Sequence, residues 1–301
     1  MSDRNDDSDA RQTNVFAFAR TAADLRSHLA TWPRWRRRLR AALLRGLYPF
    51  VWLKHRCVSS PCVLRVVLYH HVMADQKEHF RRHLRYLSET FEIVDIERFL
   101  VLLSGREALR GRSKLLVTFD DGFRDNLTHA VPVLDAFDVK AVFFVTTDFV
   151  SLSPDDVSAH RRWAREVFHT GTPVANMTWE NVTTLAAQGH TIGSHTVGHR
   201  RLSGLTADEV TRELVASRRV LEEKLGREVR DLSFPYGRVG DYPSDLGERV
   251  REAGFRTCFN MIRGANRPGQ DPHFIYRDAF EADWPLHQVR FFMMRSGRAA
   301  G

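Results

Sequence analysis

The chain has 301 residues, 43% of them apolar and 27% charged, the balance of an ordinary soluble globular protein with core enough for one large α/β domain or two small ones. Three cysteines, Cys57, Cys62 and Cys258, exclude a disulfide framework and read as free thiols in a reducing compartment. The net charge of +8 is local: residues 25–74 hold ten Lys or Arg and no acid, and the remainder carries 35 basic against 37 acidic residues. That balance argues against nucleic-acid binding by the whole domain.

Residues 1–24 are polar, acid-rich and without periodicity, which predicts a disordered tail. Residues 25–61 form a basic, aromatic arm in which Trp32, Trp35, Leu43, Leu44, Leu47, Phe50 and Trp52 alternate with arginines. Its apolar run is broken by Arg45 and Pro49, too short to span a bilayer. It also lies too deep for an ordinary signal peptide, with no small-residue cleavage site after it. Two readings suit such a segment: a helix lying in an anionic membrane interface over residues 32–56, or a helix packed on the domain with its arginines in water.

From Cys62 the pattern becomes that of alternating strands and helices. Residues 63–69 read as a buried strand closing on His70 and His71, and Phe80, Leu84 and Leu87 share one helical face. Strands are expected at 91–94, 115–119, 141–145, 191–193, 232–234 and 257–259. Helices are expected at 96–103, 129–137, 178–188, 206–225 and up to Ala253. Thr178 and the Thr206/Glu209 pair supply N-terminal caps, and Gly189, Gly226 and Gly254 supply stops. Residues 148–175 read as an insertion beside the site rather than core. The alternation implies a largely parallel sheet, open or closed into a barrel, with its chemistry after the strand ends.

Two strand ends carry that chemistry. The apolar run Leu115-Leu116-Val117-Thr118-Phe119 ends on Asp120-Asp121-Gly122. Neighbouring strand residues point to opposite faces, so the two acids can serve different tasks, and their crowding calls for a compensating cation. Downstream, His195 and His199 stand four apart in Gly193-Ser194-His195-Thr196-Val197-Gly198-His199, a spacing that lets two imidazoles on one helical face grip a divalent ion. One Asp with two His leaves coordination positions open, as a catalytic site requires. Asp125 and Asn126 read as caps of the following helix, and His129, His160 and His273 as structural histidines.

With Thr118-Phe119-Asp120-Asp121-Gly122, His195-Thr196-Val197-Gly198-His199 and Phe234-Pro235-Tyr236-Gly237 in that order, the chain resembles the polysaccharide deacetylases of carbohydrate esterase family 4. The resemblance covers residues 62 to about 280 and implies the NodB-homology fold, a distorted (β/α) barrel of about seven strands preceded here by the helical arm. It implies that Asp121, His195 and His199 hold a divalent metal, usually zinc, and that Asp120 is the general base. It also implies that Tyr236 offers its backbone N–H to the tetrahedral oxyanion, on an acetylated glycan or glycolipid substrate.

Two departures from the family pattern stand out. Many members place an arginine two residues before the motif proline to steady the base; this chain has Ser233 there, and Arg277 is the candidate replacement. Many members also carry the catalytic acid on a late histidine, for which His287 is the nearest match. The early Val67-Leu68-Tyr69-His70 instead resembles the circularly permuted branch that includes poly-N-acetylglucosamine deacetylases, where the first strand supplies the acid. His70 is therefore preferred, since a strand end points into the site while the late segment reads as a surface helix. A barrel relative cleaving non-sugar amides or imides, and a non-catalytic glycan-binding module, are the alternative readings. Free cysteines and the basic arm together predict a cytoplasmic protein, peripheral on the inner face of the membrane if the arm inserts.

Overall fold

A computed structural model describes residues 18–26, 39, 42–47, 49 and 62–294. The expected tail before residue 18 and most of the arm lie outside the described residues.

The strands are β1 (Leu64–Tyr69), β2 (Glu92–Ile93), β3 (Lys114–Phe119), β4 (Val142–Val145), β5 (Thr191–Ser194), β6 (Asp231–Ser233), β7 (Thr257–Phe259) and β8 (Asp278–Ala279). Every pairing is parallel, in the order β7-β6-β5-β4-β3-β1-β8. β1 runs along all of β3, from Leu64 opposite Lys114 to Tyr69 opposite Phe119. On the other edge of β3, β2 pairs at the start and β4 at the end. One segment then joins the two outer edges: Ile275 bridges Phe259 of β7, and three residues on, Asp278 pairs with Val67 of β1. That junction turns the sheet into a distorted barrel, with β8 as a strand that the sequence did not announce.

Two-residue alternation sorts every strand between two cores. Leu64 and Val66, Leu116, Val142 and Phe144, Phe259 and Ile275 meet inside the barrel, sealed at one end by Ile96, Phe99 and Leu102. Val67, Tyr69, Val117, Phe119, Phe143, Ile192 and Leu232 face the helices instead. A fully buried Phe such as Phe144 contributes about 1.5–3 kcal/mol through removal from water. Its position demands Gly193 on the neighbouring strand, where a Cβ would come within 2.5 Å of the Phe144 ring.

Besides the helical residues 39, 42–47 and 49 of the arm, the α-helices among the described residues are α1 (Ala22–Arg26), α2 (Lys77–Thr90), α3 (Ile96–Leu103), α4 (Val131–Asp135), α5 (Thr147–Val150), α6 (Val157–Glu166), α7 (Trp179–Ala187), α8 (Ala207–Leu225), α9 (Leu246–Glu252) and α10 (Leu286–Met294). The cap expected at Thr178 and the capping box expected at Thr206 are formed, the first as a capping box too, and Gly226 ends α8 in the left-handed conformation.

Four expectations are corrected. Residues 18–26, expected as the end of a tail and the start of an arm, pack on the domain. Leu25 is buried, the Ala19 N–H donates to the Pro173 carbonyl, and that of Ala22 donates to Asp75. Residues 148–175 have a core of their own, in which Phe149, Trp163, Val174 and Phe123 pack together. The segment at Asn126–Ala130 is a π-helical turn leading into α4, and Asp125 does not cap it. Helix α10 is no surface helix, because Val289, Phe291 and Met293 are buried.

Candidate active site

Interior parity decides which side chains reach the mouth of the barrel. On β1 the series Leu64, Val66, Leu68 continues to His70; on β3, Leu116 and Thr118 continue to Asp120; on β5, Gly193 continues to His195. These residues converge with Ser233 of β6 and with Arg277, which enters from the segment that closes the barrel. Arg277 lies fully buried between the rings of Phe144 and Phe259. It donates from Nη1 to Asp120 Oδ1 at 2.8 Å and from Nη2 to Asp120 Oδ2 at 2.7 Å, a bidentate pair. The same Nη2 donates to Ser233 Oγ at 2.7 Å, and Nε donates to the Asn260 carbonyl at 2.8 Å. A serine before the motif proline thus leaves room for a guanidinium arriving from a different strand.

Burial alone would push the Asp120 carboxyl up, but Arg277 and then His195 outweigh it and hold it below the ordinary value. Asp121 follows with φ +77°, a left-handed conformation that turns its carboxylate away from the strand and toward the histidines. Its Oδ1 lies 3.3 Å from His195 Nε2 and 3.2 Å from His199 Nε2. Burial opposes charge on Asp121 too, yet His199 and His195 keep it well below the usual range.

The histidine pair is not helical, contrary to expectation. It sits on the loop after β5, where Thr196 and His199 both take positive φ. The loop is held from below by the buried Glu213 of α8, whose Oε2 accepts the N–H groups of Val197 at 2.8 Å and Gly198 at 2.9 Å. His195 donates its Nδ1–H to the Ser233 carbonyl at 2.7 Å, which fixes the tautomer and leaves the Nε2 lone pair aimed at Asp121. Burial disfavours a charged His195, but Asp120 and Asp121 raise it above the ordinary imidazole value.

Asp121, His195 and His199 each offer a ligand atom within 4.8 Å of the others. The buried Asp121 Oδ1 has no hydrogen-bond partner among the described residues, an orphan that a divalent cation would satisfy. The donor set, one carboxylate and two imidazoles, fits such an ion.

The cleft above these groups has a volume of about 430 Å³ and is lined by His70, Asp120, Asp121, His195 and His199. Tyr236, at φ +63°, walls it beside His199, with ring centroids 5.2 Å apart. The next residue must be glycine, because a Cβ on Gly237 would lie 2.7 Å from the Met261 nitrogen. His70 lines the cleft, and burial lowers its pKa, only partly offset by Asp121 and Asp120. His287 is not among the lining residues.

Sequence reasoning missed several supporting residues. Asn126 donates to the His70 carbonyl at 2.8 Å, while Asp125 accepts the Val72 N–H and pairs with His71 Nδ1 at 2.7 Å. Together they fix the turn that presents His70. Phe168, from the insertion, lies against His199 and forms part of the cleft wall. The proximity of Asp125 and Asn126 to the central motif was the available signal, but it reads equally well as a cap.

Residues 109–258 match the family described as polysaccharide deacetylase. A putative polysaccharide deacetylase, YxkH, of Bacillus subtilis strain 168 is 24% identical over 255 residues, covering 83% of this chain and 78% of that protein. Among solved structures, IcaB from Ammonifex degensii superposes with a TM-score of 0.63 at 25% identity, over 78% of this chain and 98% of that one. The Streptococcus pyogenes deacetylase PplD, in complex with acetate, gives the same TM-score of 0.63 at 20% identity, over 78% and 99%. At that identity the second likeness speaks for the fold.

Proposed function

The chain belongs to the polysaccharide deacetylase family, and from that premise we propose that it is a metal-dependent hydrolase removing N-acetyl groups from an amino sugar in a glycan or lipid-linked saccharide. The observation that carries this reading is the orphaned Asp121 oxygen between two imidazoles, beside a second carboxylate gripped at both oxygens by Arg277.

In this reading Asp121, His195 and His199 hold the cation, for which the nitrogen and oxygen donors favour zinc. Once bound, a divalent cation supplies an acidified water and polarisation of the acetyl carbonyl. Asp120 takes the proton of the attacking water, and its depressed pKa keeps it ionised at neutral pH. Arg277 holds both carboxylate oxygens, so one proton-accepting geometry is available rather than several. His70, beside Asp120 at the end of the neighbouring paired strand, gives a proton to the departing amine, a role that typically contributes about 10²–10⁴-fold. The Tyr236 N–H is assigned to the oxyanion, and its ring walls the sugar.

The catalytic unit starts near residue 62 and the arm precedes it. No helix among the described residues is long and apolar enough to cross a membrane. In the arm, residues 42–47 are helical, and Leu39, Leu43 and Leu47, each half or more exposed, are spaced four apart on one face. We place this stripe in an anionic membrane interface, on the cytoplasmic side, where basic residues contribute about 1 kcal/mol each. Two experiments test the reading. Purified protein should release acetate from N-acetylglucosamine oligomers, lose that activity with chelator and regain it with zinc; activity surviving complete metal removal refutes the mechanism. The full chain should sediment with anionic vesicles in a salt-sensitive way, and a chain starting at residue 61 should not.

A further inference from the structure

One side of the cleft is cationic, and nothing in the deacetylation chemistry uses that charge. Arg201 and Arg238 line the cleft on the two loops that carry His199 and Tyr236. Arg201 stacks its guanidinium 4.1 Å from the centre of the Tyr236 ring and pairs with Asp241. Asp241 is 5% exposed and also accepts the Arg238 N–H at 3.0 Å. Its charge is thus spent within the wall.

The turn carrying Arg238 is closed by a second bond, from the Asp241 N–H to the Arg238 carbonyl at 3.0 Å. The Arg238 guanidinium, in contrast, is exposed on the cleft and has no hydrogen bond, ion pair or ring contact with the described residues. The lining contributed by residues 148–175, Val167, Phe168 and His169, brings no carboxylate. Asp120 and Asp121, deep in the cleft, are matched by Arg277 and the imidazoles, and a bound cation would leave still less negative charge there.

From this arrangement we propose that the substrate carries an anionic group, phosphate or carboxylate, on or beside the acetylated sugar, and that Arg238, braced beside Arg201, recognises it. The proposal rests on the deacetylase reading for the placement of the sugar against Tyr236. A guanidinium on a rigid turn suits a tetrahedral or planar oxyanion through paired N–H donors. A neutral glycan would leave this charge with water alone.

Direct binding separates the proposal from the deacetylase reading. The metal-loaded full chain is titrated with N-acetylglucosamine, N-acetylglucosamine 1-phosphate and a glucuronate-linked N-acetylglucosamine disaccharide, and acetate release is followed in parallel. At least one anionic compound should bind about tenfold more tightly than the neutral sugar, an advantage that salt reduces. A preference for the phosphate alone assigns a phosphate-linked sugar, and one for the disaccharide alone assigns a uronate-containing glycan. In Arg238→Gln the ratio of anionic to neutral affinity should fall toward one, and in Arg238→Glu below one. Equal affinities in the wild type overturn the proposal. So does a preference that Arg238→Gln leaves intact, since the anion would then be held elsewhere in the cleft. Failure of every compound to release acetate would count against the deacetylase reading and leave the binding ratio to decide the anion question.

Discussion

Arg277 and Asp278 are neighbours on one extended segment, and each makes a buried ion pair, but on opposite faces of the barrel wall. Arg277 points inward and grips both oxygens of Asp120. Asp278 points outward, with Arg65 at 2.8 Å and Arg263 at 3.6 Å. The chemistry is the same and the electrostatic outcome is opposite. Burial raises both carboxyls, but Arg277 and His195 overturn that effect for Asp120, whereas Arg65 and Arg263 fail to do so for Asp278. Bidentate alignment holds a buried carboxyl below its ordinary value, whereas two nearby guanidiniums without that alignment do not.

The sharpest way to break this comparison is to remove each arginine. Arg277→Met leaves Asp120 buried without its partner, at a cost of about 3–5 kcal/mol, and turnover should fall by about 10² or more as the base loses its orientation. Arg65→Met should cost only about 1–2 kcal/mol, within the usual range for single changes, because Asp278 keeps Arg263 and more readily takes a proton. Its acetate release should be near normal. Urea unfolding with activity on the same preparations decides, and equal activity losses would erase the distinction between the two faces.

A smaller effect is expected from Glu213→Ala, which frees the loop holding His199 without touching any ligand. Zinc affinity, measured by competition with a chelator, should fall about 10–100-fold. Unchanged affinity would show that the loop is held by its own backbone. The barrel's outer layer carries a pH dependence separate from the site. Burial pushes His83 down to about 4, with its Nε2–H donated to the Trp284 carbonyl. The folded state therefore binds fewer protons than the unfolded chain between the ordinary imidazole value and about 4. Stability from this group is full above pH ~6.5 and declines as pH falls through that window. His83→Gln should flatten the acid limb of a Tm-against-pH curve; an unchanged limb would assign it to other groups. The mildest change is Asn126→Ala, which removes the hydrogen bonds to the His70 carbonyl and to Asp125 Oδ1 and should cost about 1–3 kcal/mol, with a several-fold drop in kcat and little change in KM. A change in KM alone would argue against His70 as the proton donor.

Local signals made much of this legible in the sequence. Strand ends marked by Asp120-Asp121-Gly122 and Gly193-Ser194-His195, and helix caps at Thr178 and Thr206, are statements about neighbouring residues, and the structure keeps them. The absence of an arginine at Ser233 pointed to a replacement, and Arg277 does meet Asp120. Where geometry depends on long-range packing, the sequence misled. His195 and His199 are four apart, which suits a helix, but Glu213, an element later, shapes the loop that brings them together. Asp125 and Asn126 resemble caps because their side chains prefer local backbone partners, yet the partners they take are His71, Val72 and His70, more than fifty positions earlier. The aromatic cluster of residues 148–175 was hidden by its polar composition, since Phe149, Trp163 and Val174 gather only in three dimensions.

The central claim is that two adjacent carboxylates do different work, Asp121 as ligand and Asp120 as base. Zinc content and acetate release measured on the same preparations of Asp120→Asn and Asp121→Ala test it most directly. The account predicts that Asp120→Asn retains the metal and loses most of its turnover, while Asp121→Ala loses the metal and the turnover together. An Asp120→Asn protein with wild-type acetate release, or an Asp121→Ala protein that still binds zinc as tightly as the wild type, would contradict it.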